Sequence, residues 1–190
     1  ELLDLVLPDD AVDRSRNGAA EFEARYGLAT KPALVRFRIL DPDLAIQGLT
    51  DLTVRVDELA RLDLGAERVL IVENEITGLA MPAISRTSVI FGLGYAVHLL
   101  ANVPWLRSQD VVYWGDIDTH GFRILDRLRS ILPHARSVLM DPETLHSHQA
   151  DWTTEPAPTI APLDHLTPTE ASLYDDLRYD RLGRAVRLEQ

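Results

Sequence analysis

A chain of 190 residues that is 46% hydrophobic and 26% charged has the composition of a globular domain with a sizeable core, not of a disordered segment. Its 30 acidic against 19 basic side chains leave a formal net charge of -11, which repels a phosphate backbone. Any grip on nucleic acid would therefore need metal ions or a further domain, and the absence of cysteine excludes zinc ribbons, thiol catalysis and disulfide frameworks.

The default compartment for such a chain is a reducing cytoplasm. No apolar run has bilayer length and no charged-then-apolar leader opens the sequence, so no membrane association is expected. The chain starts at Glu1 in helical or extended texture, as a piece of a longer protein would. Phe22 and Tyr26, at helical spacing, predict a short helix ending at Gly27. Ala33–Leu40 alternates Arg36 and Arg38 with apolar neighbours and reads as a half-exposed strand stopped by Asp41-Pro42. A second strand is expected around Leu52–Val56, running into a helix near Asp57–Leu62.

From Arg68 the texture changes. Val69–Val72, Ser88–Phe91 and Val111–Trp114 are short continuous apolar runs, the pattern of strands covered on both faces. A helix is predicted from Tyr95 to about Leu106. Another follows through Phe122, Leu125, Leu128, Ile131 and Leu132, with Pro133 as its stop. Ser137–Met140 reads as a fourth strand and Pro142 to about Trp152 as a helix. Residues 153–168 hold four prolines and read as a surface linker, before a closing helix capped by Thr167 and Glu170. Alternating strands and helices predict an α/β domain with a mostly parallel sheet flanked by helices, preceded by a short α+β extension. The expected boundaries are an N-terminal helix and strand segment at 1–62, a core at 63–152, and a linker with the C-terminal helix at 153–190.

Ligands of open parallel sheets bind outside the carboxyl ends of the strands. Here those ends are acidic. The first core strand runs into Glu73-Asn74-Glu75 and the third into Gly115-Asp116-Ile117-Asp118. Residues two apart in extended chain point to one side, so Asp116 and Asp118 should act together. Three hard oxygen donors from two strand ends are what Mg²⁺ or Mn²⁺ takes. Crowded carboxylates also repel, and folded proteins seldom keep them without a metal or an arginine to neutralise them. The plainer alternative is that one aspartate merely caps the helix near Gly121.

Glu73 with Gly115-Asp116-Ile117-Asp118-Thr119-His120-Gly121 resembles the Toprim domain, a Rossmann-like fold found in topoisomerases, primases and related nucleases. A wider set is similar to the nuclease subunit of Wadjet plasmid-defence systems, JetD. It comprises Arg25–Leu28, Val35–Arg38, Glu73–Glu75, Phe91–Tyr95, Tyr113–Phe122 and Leu139–Asp141, and the likeness runs from about Phe22 to Leu188. The resemblance implies a metal-dependent endonuclease related to the A subunit of type IIB topoisomerases, with Glu73, Asp116 and Asp118 as catalytic metal ligands for Mg²⁺ or Mn²⁺. It implies double-stranded circular or plasmid DNA as substrate, an SMC-like motor complex as partner, further N-terminal domains, and a homodimer, since two sites are needed to cut two strands.

Two positions depart from the common Toprim pattern. His120 stands where a third aspartate is frequent, and a histidine there would contact phosphate, assist proton transfer, or simply pack. Asn74 replaces a small residue, which leaves Glu75 as either a further acidic ligand or base, or a solvated carboxylate. Arg123 and Arg127 lie on the following helix as phosphate contacts or as a solvated face. His98, Trp105 and Trp114 read as packing residues. A non-catalytic Toprim-like module that binds metal or a partner is the rival reading, and a small-molecule phosphatase fits the sheet but not the motifs.

Overall fold

In the computed structural model, residues 2–29 and 31–190 are described. The chain divides into two compact units, Glu1–Ala33 and Leu34–Gln190. In the first, α1 (Leu2–Val6) and α2 (Phe22–Arg25) are joined by short 3₁₀ turns. Arg25 ties this unit together, donating to Asp4 at 2.8 Å and to the Arg16 carbonyl at 2.6 Å. Phe22 and Tyr26 meet edge to face, and Gly27, at φ 62°, ends the helix where the sequence predicts.

The second unit follows the α/β order: β1 (Leu34–Ile39), β2 (Asp51–Arg55), α3 (Val56–Leu59), β3 (Arg68–Val72), α4 (Glu75–Ala80), β4 (Thr87–Phe91) and β5 (Asp110–Trp114). Then come α5 (Thr119–Ile131), β6 (Arg136–Ser137), α6 (Pro142–Ser147), β7 (Thr153–Thr154), α7 (Pro168–Arg178) and β8 (Val186–Arg187). Six strands form one sheet in the order β2-β1-β4-β3-β5-β6. The β3–β4, β3–β5 and β5–β6 pairs are parallel, while β1 is antiparallel to both of its neighbours. This is the α/β sheet of a Toprim-type, Rossmann-like domain.

The sheet order fixes where a site can form. From β3 the chain crosses to β4 on one side and returns to place β5 on the other. The carboxyl ends of β3 and β5 therefore flank a topological switch point, where adjoining loops part and leave a crevice. Glu73 follows β3 directly and Gly115-Asp116 follows β5. The Glu73 N–H donates to the Trp114 carbonyl at 3.1 Å, extending the ladder into the site.

Helix α5 packs beneath this edge. Phe122, Ile124, Leu125 and Leu128 are buried on its inner face, each contributing roughly 2 kcal/mol of apolar burial. Arg129 is also buried, because Glu170 of α7 receives two of its N–H groups at 2.5 and 2.9 Å. Burial pushes the Glu170 carboxyl up, but Arg129, Ser137 and Thr167 outweigh it and hold it at about 2. Glu170→Ala should therefore cost about 3–5 kcal/mol by stranding a buried guanidinium. An unchanged urea midpoint would contradict that role.

The structure corrects several expected elements. Residues 94–108 form two 3₁₀ runs, Gly94–Asn102 and Pro104–Ser108, and not one α-helix. Val97, Leu100, Val103 and Leu106 are buried at a spacing of three, which suits 3₁₀ winding, and Pro104 cannot donate across the break. His98 lies off that stripe and is exposed, not packed. The fourth core strand is only two residues long. Leu139 adopts φ 58° and turns the chain away after Val138, whose N–H still reaches the Tyr113 carbonyl. The helix from Pro142 stops at Ser147, with a separate 3₁₀ turn at Gln149–Asp151. Trp105 and Trp114 are half-buried at the core's margin. The proline-rich segment is not wholly superficial, since Glu155 is buried under α5.

Candidate metal centre

The turn from β5 into α5 carries two aspartates in fixed roles. Asp118 is the helix N-cap, its Oδ1 accepting from the Gly121 N–H at 2.7 Å. Its other oxygen faces Arg187. Asp116 Oδ1 accepts from the Gln190 N–H at 3.0 Å, and Oδ2 accepts from Arg187 Nη2 at 2.6 Å. The two aspartates thus share one guanidinium, as their common side of the chain predicts, and both are buried. Arg187 Nε lies 3.0 Å from Asp118 Oδ2, near enough for charge attraction but misaligned for a hydrogen bond, so this buried N–H has no hydrogen-bond partner.

Arg187 arrives on the C-terminal strand. Leu188 and Ile117 exchange both backbone hydrogen bonds, at 3.0 and 3.1 Å, which seats β8 against the acidic turn. Gln190 adds side-chain bonds to Trp114 Nε1 and to the Leu139 carbonyl. Beside this strap lies a cleft of about 540 Å³ between Trp114, Leu139, His148 and Gln190.

Glu73 completes the cluster. Its Oε2 accepts from the buried Tyr113 hydroxyl at 3.2 Å, a phenol that burial and Glu73 keep un-ionised. Burial first, and then the Asp116 and Asp118 charges, push the Glu73 carboxyl up to about 7. Asp118 is raised by burial and by Glu155 and Asp116, against the pull of the Gly121 N–H and Arg187. Glu155 itself accepts from the Thr119 hydroxyl at 2.7 Å and from the Thr119 and His120 amides, so the start of α5 is ringed by carboxylates.

The raised Glu73 carboxyl has a measurable consequence in metal-free protein. The folded chain keeps its proton above the ordinary value of 4.5, where the unfolded chain has lost it, so stability falls as pH rises toward and through about 7. Glu73→Gln should flatten that fall in EDTA. Equal slopes for both proteins from about pH 5 to about pH 8 would argue against the crowding.

The other candidate residues lie around this centre. The His120 ring bridges the Tyr95 hydroxyl at Nδ1 and the Ala157 carbonyl, 2.8 Å from Nε2. Nε2 donates to the carbonyl, which leaves Nδ1 to accept from Tyr95. Arg123 stacks its guanidinium over the Tyr95 ring at 5.3 Å, and Arg127 is exposed one turn on. Glu75 begins α4 and pairs with Arg36, which also holds Asp51. Glu73, Asp116 and Asp118 are brought together; Glu75 is held apart on its own arginine. Among the described residues, no three His, Cys, Asp or Glu side chains converge tightly enough to enclose an ion as they stand.

The family described as Wadjet protein JetD, C-terminal, matches residues 27–190. The chain belongs to this family. Comparison with curated proteins gives no match. Within the JetD C-terminal domain the acidic motif was legible in sequence, but Arg187, Gln190, Glu155 and Tyr113 were not. Tyr113 reads as one more apolar strand residue, and Arg187 is 71 residues from Asp116, with nothing local to mark it. Among the described residues no helix is long and apolar enough to cross a membrane.

Proposed function

We propose that this chain is the cutting domain of a Mg²⁺- or Mn²⁺-dependent DNA endonuclease. In this reading it cleaves plasmid or other circular double-stranded DNA in a prokaryotic Wadjet defence system, in the cytoplasm, as a homodimer beside an SMC-like complex. The observation that carries it is the meeting of Glu73, Asp116 and Asp118 at the switch point of the sheet, with the Glu73 carboxyl driven up to about 7 by burial and by the aspartates.

The donor set suits a hard divalent ion in kind. All three groups are carboxylates, as such ions prefer, and their mutual repulsion is what a divalent charge would relieve. Glu73, Asp116 and Asp118 would hold it. When bound, such an ion polarises the scissile phosphate, lowers the pKa of the attacking water and stabilises the departing oxygen. The chain's own part is positional. Tyr113 fixes Glu73, Gly121 and Gln190 orient Asp118 and Asp116, and Glu155 pins the start of α5. Arg123 and Arg127 lie on the exposed side of α5 as further phosphate contacts, and His120 is a candidate for proton transfer through its bond to Tyr95.

Nicking of supercoiled plasmid by the full-length protein, with Mn²⁺ and with EDTA, tests this reading. The rival is a Toprim-like module that binds metal or a partner without cutting. The hold of Arg187 on both aspartates favours it, because a side-chain cation already occupies the place between them and offsets one of their two charges. Mn²⁺ binding without cleavage by the full-length protein would select the module.

A further inference from the structure

The cleft beside the C-terminal strap exists because β6 stops early. Its two residues pair with Val112 and Tyr113, so Trp114 at the end of β5 has no strand on that side. Leu139, at φ 58°, turns the chain away there, and α6 supplies the far wall through Glu143, Thr144 and Ser147. The opening of about 540 Å³ lies within the Leu34–Gln190 unit, with Trp114, Leu139 and Leu188 as its apolar walls. Leu139 stays 44% exposed and its neighbour Val138 40%, so apolar surface is left uncovered at this edge.

The polar lining is acidic. Asp141, Glu143 and Glu189 line the cleft, and the strap behind it is seated on Asp116 and Asp118. Against these five carboxylates stands one guanidinium, Arg187, which meets Glu189 at 2.8 Å. The other titratable lining residue is His148, whose Nδ1 donates to the Thr144 carbonyl. Asp141 is spent as the cap of α6, both of its oxygens accepting from Thr144 at 2.8 and 3.1 Å. Glu143 is exposed in the first turn of α6 and has no ion-pair partner among the described residues. Glu143 and the second oxygen of Glu189 are therefore the acceptors left open.

We propose that this cleft docks an arginine-bearing segment of a partner protein. Its charge decides between occupants. A phosphate entering it meets like charge on every polar wall, which argues against nucleic acid. A neutral apolar segment would cover Leu139 and Trp114 but would take water from Glu143 and Glu189 and give nothing back. A guanidinium satisfies both kinds of wall at once. Its flat face stacks on an indole while its N–H groups, in the plane, donate to carboxylates at the rim. Lysine's point charge does only the second of these well. The volume is that of a pocket for several side chains, so apolar neighbours of the arginine would cover Leu139 and Leu188. Such docking needs no metal at Glu73, Asp116 and Asp118, so it stands apart from the nuclease reading.

Fluorescence anisotropy of a labelled peptide of alternating arginine and leucine, titrated with the full-length protein, tests this docking. The same peptide with citrulline for arginine keeps the shape without the charge and is the control. The arginine peptide should bind about tenfold or more tightly than the citrulline peptide, and more weakly as salt rises. Glu143→Arg reverses an open acceptor, and Ser147→Trp fills the cleft from α6. Both positions are exposed, so both variants should melt as wild type does. Each should weaken the arginine peptide by about tenfold or more, and either carries the comparison if the other does not fold. Wild-type protein that binds neither peptide, or both equally, would overturn the proposal. Wild-type peptide affinity in either folded variant would do the same, since the peptide would then sit elsewhere on the acidic surface. A labelled DNA duplex, or a dimer of the wild-type chain, that Ser147→Trp releases would assign the cleft to nucleic acid or to a second copy instead. Plasmid nicking is read separately, so its absence bears on the nuclease reading and not on the cleft.

Discussion

Asp118→Asn should abolish plasmid nicking, by on the order of a thousandfold or more, while leaving the fold in place. This side chain has two separable parts to play, as a cap and as a charge. Asn caps a helix about as well as Asp, so the bond from the Gly121 N–H survives and the cost to α5 is small. The negative charge does not survive. If Asp118 helps to hold the ion that stabilises the developing charge, its loss removes several kcal/mol from the transition state, and each 1.36 kcal/mol is about tenfold in rate. Thermal unfolding in EDTA provides the control. The asparagine variant should melt close to wild type, because one of several mutually repelling carboxylates has been neutralised. Normal nicking by a folded Asp118→Asn protein would exclude Asp118 as a ligand.

Gly121→Ala should have the opposite profile: activity is lost because the structure is lost. A Cβ built at Gly121 would stand 2.1 Å from the Asp116 carbonyl oxygen, with the carbonyl carbon at 3.1 Å. Both are backbone atoms, so no rotamer change relieves the clash. The first turn of α5 must separate from the Asp116 loop, and that loop is pinned on its far side by the Ile117–Leu188 pair. Either the helix shifts or the C-terminal strap lets go. The cost should reach about 3 kcal/mol or more, in the range of overpacked cores, and should appear as a lowered urea midpoint together with weakened Mn²⁺ binding. A variant as stable as wild type would show that the turn is softer than its packing implies.

These two variants also show what the sequence could and could not convey. Gly-Asp-x-Asp-x-x-Gly was legible as a motif, and the apolar runs around it placed it at the end of a covered strand. The strand ends are informative because both are acidic and because parallel sheets put such ends on one edge. The reason for the final glycine was hidden, since its clash partner is a backbone oxygen that no side-chain pattern reveals. From sequence, Asp118 stands between helix capping and metal ligation; in the structure one oxygen caps α5 and the other faces Arg187.

Long-range pairing explains the rest. Arg187 and Gln190 reach the site through a bridge between Leu188 and Ile117, a contact across most of the domain that local spacing does not encode. Glu155 lies in the proline-rich segment that reads as a surface linker, yet it is buried because Thr119 and His120 offer it an unsatisfied helix start. The apolar residues over 94–108 read as an α-helix from sequence, but helical apolar spacing alternates threes and fours, and here only the threes are used. Leu139 ended its strand early through a left-handed backbone that its residue type does not announce.

A divalent-metal centre at Glu73, Asp116 and Asp118 is what the proposed function requires. Anomalous diffraction from a crystal of this protein soaked in Mn²⁺ tests it most directly. A peak within coordination distance of all three carboxylates, with Arg187 turned away from Asp116 and Asp118, is the predicted result. No peak at the switch point, with the Arg187 guanidinium still bridging both aspartates, would contradict it.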